Sequence, residues 1–488
     1  MCAPRRKWLS QLSVVKRGSR ALRLPVSAFT PPQKQTIMEA SAGHEAPVRP
    51  HYPQGFRLRR GFNWFSLGLM YASFYMCRYN FRWASPDLRT EFGFDYGDIT
   101  LILGCWSWAY GVGQLVNGLF TDRIGGKRGM LIGAAGMILA NLAFGAASLT
   151  GNFATFTFIW MVNGYMQAFG APGMVKINAA WFSRSERGTF AGIFGLMIQM
   201  GQVAINKLAP ALLGGFSLAL WTMPALNWRW LFWIPPMVAT VVCAIVWFIA
   251  KETPEEAGFD GVHPDETARS GADVRVTLRE SFFTIVRHPL VWWYAAAYAC
   301  TGAVRHGADH LAVLFFVDEL KLDRQAPEML WTLQLMPLVA VLGAFSSGFI
   351  SDRFFGSRRA PVAMTLYFLE TFVILAAVLL VVVLGMKAIL LSCFFLVMIS
   401  LTANSTHSIV GTAAPMDIGG RKMAGFALGV IDSFQYFGAG LALPIMGWLL
   451  DSYGWATWFP AMAGFGALGG LAMLQVIRVQ RRLKIAGG

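Results

Sequence analysis

The chain has 488 residues, 55% of them hydrophobic and 14% charged, and a mean hydropathy of +0.49, which excludes an ordinary water-soluble assembly of domains. Its apolar residues come in runs of about 20, long enough to cross a bilayer as helices. The net charge of +15 sits in short segments between these runs and not along a polar stripe, so no nucleic-acid partner is expected.

Residues 1–60 read as a flexible basic tail, since Arg5, Arg6, Lys7, Lys16, Arg17, Arg20, Arg23 and Lys34 all precede the first acidic residue, Glu39. Such a tail suits anionic lipid. An acid-poor start with Arg and Ser also fits an organelle transit segment, or a misplaced start codon. Residues 61–250 hold six apolar spans, near 62–84, 98–120, 129–149, 152–176, 188–213 and 229–250. Residues 251–290 form a polar linker, in which 274–286 is mildly amphipathic and suited to a membrane surface. Residues 291–478 hold six more spans, near 291–317, 328–350, 360–384, 388–412, 423–448 and 456–477, and 479–488 form a short tail. All twelve spans are read as helices, because a helix satisfies its own backbone hydrogen bonds in hydrocarbon. The expectation is an all-α membrane protein of two pseudo-symmetric six-helix bundles.

Loop charge orients the chain. The basic segments 122–129, 183–188, 352–359, 420–422 and 478–484 fall on one side if there are twelve spans. Asp87, Glu91, Asp95, Asp98, Asp318, Glu319, Glu328 and Asp451 fall on the other. The positive-inside rule then puts both termini and the linker in the cytoplasm.

Two motifs repeat between the halves. Asp-Arg-x-Gly-Gly-x-Arg, with Asp122, Arg123 and Arg128, returns as Asp-Arg-x-x-Gly-x-Arg, with Asp352, Arg353 and Arg358. Each half also places an arginine in its first span, Arg78 and Arg305. An arginine in hydrocarbon costs from about 2.5 to over 10 kcal/mol, so an idle one is improbable. Two planar guanidinium forks from opposite halves suit an anion at the midplane. The structural alternative is snorkelling to the headgroups, more open to Arg78, which lies near the outer end of its span by sequence count, than to Arg305 near the middle.

The stretches Gly118 to Arg128 and Gly348 to Arg359 resemble the signature loops of the major facilitator superfamily. The resemblance implies the major-facilitator fold, with those aspartates and arginines holding helix ends together in one alternating state. Cys77 to Ile99, Trp181 to Gln202 and Arg305 to Glu319 further resemble the organophosphate:phosphate antiporters, which include glycerol-3-phosphate and hexose-phosphate transporters and sensor relatives. That likeness spans residues 62–478 and implies a bacterial cytoplasmic membrane. It also implies that Arg78 and Arg305 grip a substrate phosphate. The sequence departs from the pattern where Gln114 stands in place of a span-two lysine, and Ile198, beside Gln199, in place of a span-five histidine. The departures put in doubt a standard sugar-phosphate or glycerol-phosphate substrate.

Other polar residues are candidates to replace those two. Lys207 lies near the far end of span five, and His306, Asp309 and His310 follow Arg305, with Asp309 and His310 expected, like Asp432 and His407, to serve coupling or gating. Asp309, at i+4 from Arg305, suits either a gate that substrate opens or a static ion pair. Glu370, His407 and Asp432 lie within spans nine to eleven, with Asp432, followed by Gln435 and Tyr436, the preferred site for proton coupling; a buried packing role is the alternative. Tyr75 and Tyr110 are expected to orient the organic part of a solute, among nearby Tyr71, Tyr79, Trp106 and Trp108; Tyr75 is preferred over Tyr79.

The six cysteines show no metal-ligand or disulfide spacing, and no paired carboxylates, activated nucleophile or ATP-binding loop appears, so neither an enzyme nor a cofactor or metal is expected. The expected activity is secondary transport of an organic anion, preferably an organophosphate in exchange for inorganic phosphate. Proton-coupled carboxylate symport is the first alternative. A sugar-phosphate sensor with a signalling partner is the second.

Overall fold

The computed structural model describes residues 52–218, 221–260, 287–356, 358–383 and 389–486; the side chains at 412–428 are among those outside the description. Residues 1–51 and the amphipathic stretch 274–286 lie outside the described residues.

Helices account for nearly all of the described structure. The first half holds α1 (Phe56–Phe92), α2 (Tyr96–Ile124), α3 (Gly126–Ala147), α4 (Phe153–Gln167), α5 (Gly170–Trp181), α6 (Arg184–Gly214) and α7 (Ile234–Ile249). A short hairpin, Phe216–Leu218 against Trp221–Met223, follows α6. The second half holds α8 (Pro289–Leu314), α9 (Pro327–Phe354), α10 (Arg359–Ala377), α11 (Ile389–Tyr453) and α12 (Trp458–Ala486). Among the described residues, seven helical stretches are long and apolar enough to cross a membrane. They lie in α2, α3, the segment ending in α7, α9, α10 and its continuation, the start of α11, and α12. At 65 residues, α11 is far longer than one span needs, and it covers both stretches expected at 388–412 and 423–448.

Two helices differ from the span reading in ways that matter for the site. The stretch expected at 62–84 is only the middle of α1, whose 37 residues extend about 55 Å at 1.5 Å per residue. Arg78 therefore sits within the middle third of its helix, buried against protein. The end of α1 beyond residue 84 escaped the hydropathy reading because it carries Asp87, Arg89 and Glu91, while the polar Arg78, Asn80, Arg82 and Ser85 before it are buried against protein. The single span expected at 152–176 is broken between α4 and α5 at Ala168 and Phe169.

Helices of each half pack mainly on one another. In the first half α1 lies against α6 and α7, and α3 against α4 and α5; in the second, α8 lies against α11 and α12, and α9 against α11. The halves meet where α2 faces α11, α6 faces α9, and α1 faces α8. Small residues permit the closest approach. A Cβ at Gly302 of α8 would run into the Gln435 carbonyl of α11, and one at Gly438 into the Ala299 carbonyl.

The first signature loop is a tight corner. Gly125 takes φ 96°, and a Cβ there would meet the Glu252 carboxylate at 2.6 Å. That carboxylate accepts from the backbone N–H of Gly126 (2.6 Å) and of Lys127 (3.3 Å), so the N-terminal cap of α3 comes from Glu252, after α7. The side chains of Asp122, Arg123 and Arg128 are exposed, as are those of Asp352, Arg353 and Arg358.

At the same end of the molecule, Glu186 joins the starts of α1 and α6. It receives both guanidinium nitrogens of Arg60, at 3.0 and 3.1 Å, together with the hydroxyls of Tyr52 and Ser183 at 2.9 Å each. Burial pushes its carboxyl up, but hydrogen bonds from Arg60, Ser183 and Tyr52 outweigh this and hold it below the ordinary value. A depressed folded value means that the stabilisation is present at neutral pH and is lost as pH falls through that value. Glu186→Gln should lose about 1–2 kcal/mol at pH 7. Thermal unfolding should show the gap between variant and wild type closing below about pH 4, near the unfolded value. A gap that persists at pH 3 would show that packing, not charge, is responsible.

Candidate substrate site

α1 brings three buried polar side chains to one face at one-turn spacing or less. Arg78 and Arg82 are four residues apart and so share a side of the helix, with Tyr79 between them. Arg78 is 2% exposed. Its guanidinium carbon lies 4.7 Å from the ring centres of Tyr75 and Trp106 and 4.8 Å from that of Tyr110, so it sits inside an aromatic box. Its Nε donates to Gln167 Oε1 at 3.0 Å, while Nη2 is buried without a partner.

Behind Arg78 stands a ladder of amides, Gln167, Asn163, Asn141 and Asn80, all fully buried. Gln167 donates to Asn163 at 3.0 Å, and Asn80 donates to Asn141 at 2.7 Å and to the Leu231 carbonyl at 2.9 Å. The Cys77 carbonyl accepts from Asn141 (3.2 Å), Gln167 (3.4 Å) and Asn163 (3.5 Å). The ladder fixes the guanidinium with neutral acceptors. It therefore leaves the positive charge uncompensated by any carboxylate contact among the described residues.

Arg305, on α8, is 7% exposed, its Nε is buried without a partner, and it forms no ion pair within 4 Å among the described residues. Asp309, expected as its i+4 partner, instead accepts a hydrogen bond from Tyr79 at 3.2 Å. Tyr79 lies on the other half, and its cross-half approach wins over the same-helix geometry. Both tyrosines flanking Arg78 thus have defined places, Tyr75 under the guanidinium and Tyr79 against α8.

The same face of α8 carries His306 and His310. Their rings stack at 5.5 Å with 13° between planes, and Tyr79 continues the stack on His310 at 5.3 Å and 15°. His306 also lies 5.4 Å from Tyr436, which is 4.1 Å from Tyr110, a wall of the Arg78 box. The structure therefore gathers Arg78, Tyr75, Tyr110, Arg305, Asp309 and His310 into one buried cluster that spans both halves. Gln114 of α2 donates to Asp432 of α11 at 3.3 Å, which joins two other residues singled out from the sequence. Gln199 is half-buried with an unpartnered Oε1. His407 pairs with Tyr298, its Nδ1 2.8 Å from the hydroxyl and the rings stacked. Glu370 is fully buried and accepts from Thr406 at 3.4 Å. Lys207 is exposed over Trp331, at 5.6 Å, and takes no part in the cluster.

Arg82 is the residue that the sequence reading missed. It is fully buried, its Nη1 donates 2.9 Å to the backbone carbonyl of Asp309, and its Nη2 donates to Asn206 Oδ1. Asn206 also accepts from Trp83 at 3.2 Å and donates 2.5 Å to the Leu333 carbonyl. One joint thus ties α1 and α6 to α8 and α9. The available signal was a second arginine one turn after Arg78, on the same helical side.

Towards the end opposite the signature loops, further ties cross between halves. Arg89 pairs with Asp318, and Arg324 with Asp87 at 2.6 Å. Tyr96 donates to Asp318 at 3.1 Å and receives Trp455 Nε1 at 3.1 Å. Asp451 accepts the backbone N–H groups of Tyr96 (2.9 Å) and Gly97 (2.7 Å), so a second-half carboxylate caps the N-terminus of α2. Among the described residues, no group of three or more His, Cys, Asp or Glu is placed to hold a metal ion.

The sequence model of the Major Facilitator Superfamily matches residues 67–421. Similar curated proteins include the glycerol-3-phosphate transporter of Bacillus subtilis, 27% identical over 393 residues, covering 79% of this chain and 85% of that protein. The membrane sensor protein UhpC of Escherichia coli is 24% identical over 421 residues, covering 85% and 91%. The phosphoglycerate transporter protein of Salmonella typhimurium is 24% identical over 415 residues, covering 82% and 85%. Among solved structures, a bacterial homolog of the human lysosomal transporter Spinster, inward-facing and unoccupied, aligns with a TM-score of 0.66 at 15% identity, covering 87% of this chain and 95% of that one. This last likeness bears on fold alone.

Proposed function

The chain belongs to the major facilitator superfamily, as an integral membrane protein homologous to organophosphate transporters and not an enzyme, and from there we propose that it exchanges an organophosphate for inorganic phosphate by alternating access. The observation that carries this reading is the pair of buried arginines, one per half, each with a nitrogen left without a partner and neither paired to a carboxylate. A phosphate dianion supplies the acceptors that both lack. The aromatic box and amide ladder hold Arg78 ready, and Arg305 meets the anion from the other half.

Twelve spans in two six-helix bundles, residues 61–250 and 291–478, fit this activity, with the linker 251–290 and both termini in the cytoplasm. In that orientation the ties through Arg82, Arg89, Arg324 and Asp451 close the outer side. The exposed arginines of the signature loops lie on the cytoplasmic side.

Counterflow tests the proposal. Proteoliposomes loaded with inorganic phosphate should take up labelled external phosphate, and organophosphates should compete. Absence of exchange by correctly reconstituted protein, with or without a proton gradient, would overturn phosphate antiport. Gradient-driven carboxylate uptake that Asp432→Asn abolishes would then favour symport, a reading supported by the Gln114–Asp432 contact between halves. Ligand binding without flux would favour sensing, in keeping with the likeness to a sensor protein.

A further inference from the structure

The buried cluster contains more unmet hydrogen-bonding capacity than an anion can satisfy. Both ring nitrogens of His306 and both of His310 are buried without partners, and so are both amide atoms of Gln435. His306 and His310 are 2% and 1% exposed, and Gln435 is fully buried. Unmet groups of this kind are rare in native proteins and each calls for an explanation.

A neutral imidazole presents one N–H donor and one lone pair. A carboxylate, or the dianion of a phosphate ester, has only acceptors to offer, so it can answer the N–H and never the lone pair; inorganic phosphate keeps a P–OH at neutral pH but does not supply a donor for each ring. A hydroxyl group answers both. The two rings lie on one face of α8, parallel and 5.5 Å apart, beginning one residue after Arg305. His306 also approaches Tyr436, which touches the box around Arg78. The histidines thus flank the place where the proposed phosphate would be held, and their stacking fixes the ring planes.

We propose that His306 and His310 are specificity residues that bind hydroxyl groups on the organic part of the ligand, while contributing little to the grip on phosphate itself. The assignment rests on the organophosphate reading given above. It assigns His310 to recognition and not to gating, and it adds Gln435 as a neighbouring donor and acceptor.

The test is equilibrium binding to the purified full-length protein by calorimetry, with three probes: inorganic phosphate, glycerol 3-phosphate, and propyl phosphate, which lacks both hydroxyls. At about 1 kcal/mol for each hydrogen-bonded hydroxyl, wild type should prefer glycerol 3-phosphate over propyl phosphate by about thirty-fold. His306→Phe and His310→Phe keep the stacked rings and remove the nitrogens. Each should cut the preference to about five-fold, and the double variant to near one, with phosphate affinity changed less than about two-fold. His310→Asn, which keeps one donor and one acceptor, should recover part of the preference. Equal binding of the two esters by wild type, or an unchanged preference in both Phe variants, overturns the assignment. Loss of phosphate binding in the Phe variants overturns it as well, since the histidines would then hold the anion or the fold. Counterflow failure with the binding pattern intact would refute exchange and leave the recognition assignment standing.

Discussion

Arg78→Lys should lower phosphate counterflow by about a hundred-fold, and Arg305→Lys should do the same, although both variants keep their charge. Loss of charge-assisted bonds worth about 1.5–3 kcal/mol gives a factor of this order. Lysine carries a compact ammonium on a flexible stem, whereas the guanidinium plane lies near the rings of Tyr75, Trp106 and Tyr110 and reaches Gln167 through Nε. A lysine at 78 would forfeit the Gln167 bond and the fork at once. It would also leave the end of the amide ladder short of its donor. Labelled-phosphate exchange in proteoliposomes reads the effect, with thermal unfolding of each variant as the check on folding. Retention of more than half the wild-type rate by either variant would remove that arginine from the grip.

A second large effect is expected at Arg82. Arg82→Gln removes the donors that reach the Asp309 carbonyl and Asn206, the joint among α1, α6, α8 and α9. The surface pairs Arg89–Asp318 and Arg324–Asp87 have side chains between 18% and 27% exposed, and such pairs contribute about 1 kcal/mol or less. Hydrogen bonds from a buried charge contribute about 1.5–3 kcal/mol, so Arg82 should dominate the closure. Its loss should shift the balance of states ten- to a hundred-fold toward the one open at that end. Spin labels at Leu149→Cys and Ser452→Cys, both exposed at the end opposite the signature loops and on opposite halves, should report longer distances in Arg82→Gln. The comparison requires a background without the native cysteines. An unchanged distance distribution would show that the closure does not depend on Arg82.

The sequence made the apolar spans legible because lipid imposes length and hydropathy on helices facing it. It made Arg78 and Arg305 legible because a charge in an apolar run is conspicuous. It was silent where protein replaces lipid as the surroundings. The last part of α1, beyond residue 84, was missed because it carries Asp87, Arg89 and Glu91, while Arg82 lay inside the expected span but drew no notice beside Arg78. The ladder of Asn80, Asn141, Asn163 and Gln167 comes from three helices, so each amide looks isolated until the fold assembles them. Gln114 and Asp432 were each noticeable, but no spacing rule pairs residues so distant in the chain. Glu252 caps α3 from beyond α7, in a segment that reads only as polar linker.

The acceptor that Arg82 uses on α8 is the main-chain oxygen of residue 309, not its carboxylate. The reverse holds at the other tie, where Asp451 receives main-chain N–H groups of Tyr96 and Gly97. In each case one partner is backbone, which, proline at a donating position apart, a point substitution leaves in place. Position 309 can therefore change its side chain without removing the fastening, whereas a Cβ at Gly97 would meet the Asp451 carboxylate at 3.0 Å. The tie from Arg82 to α8 is thereby uncoupled from the identity of the side chain at 309. Sequence change at 309 can therefore accumulate without loosening the joint between the two halves.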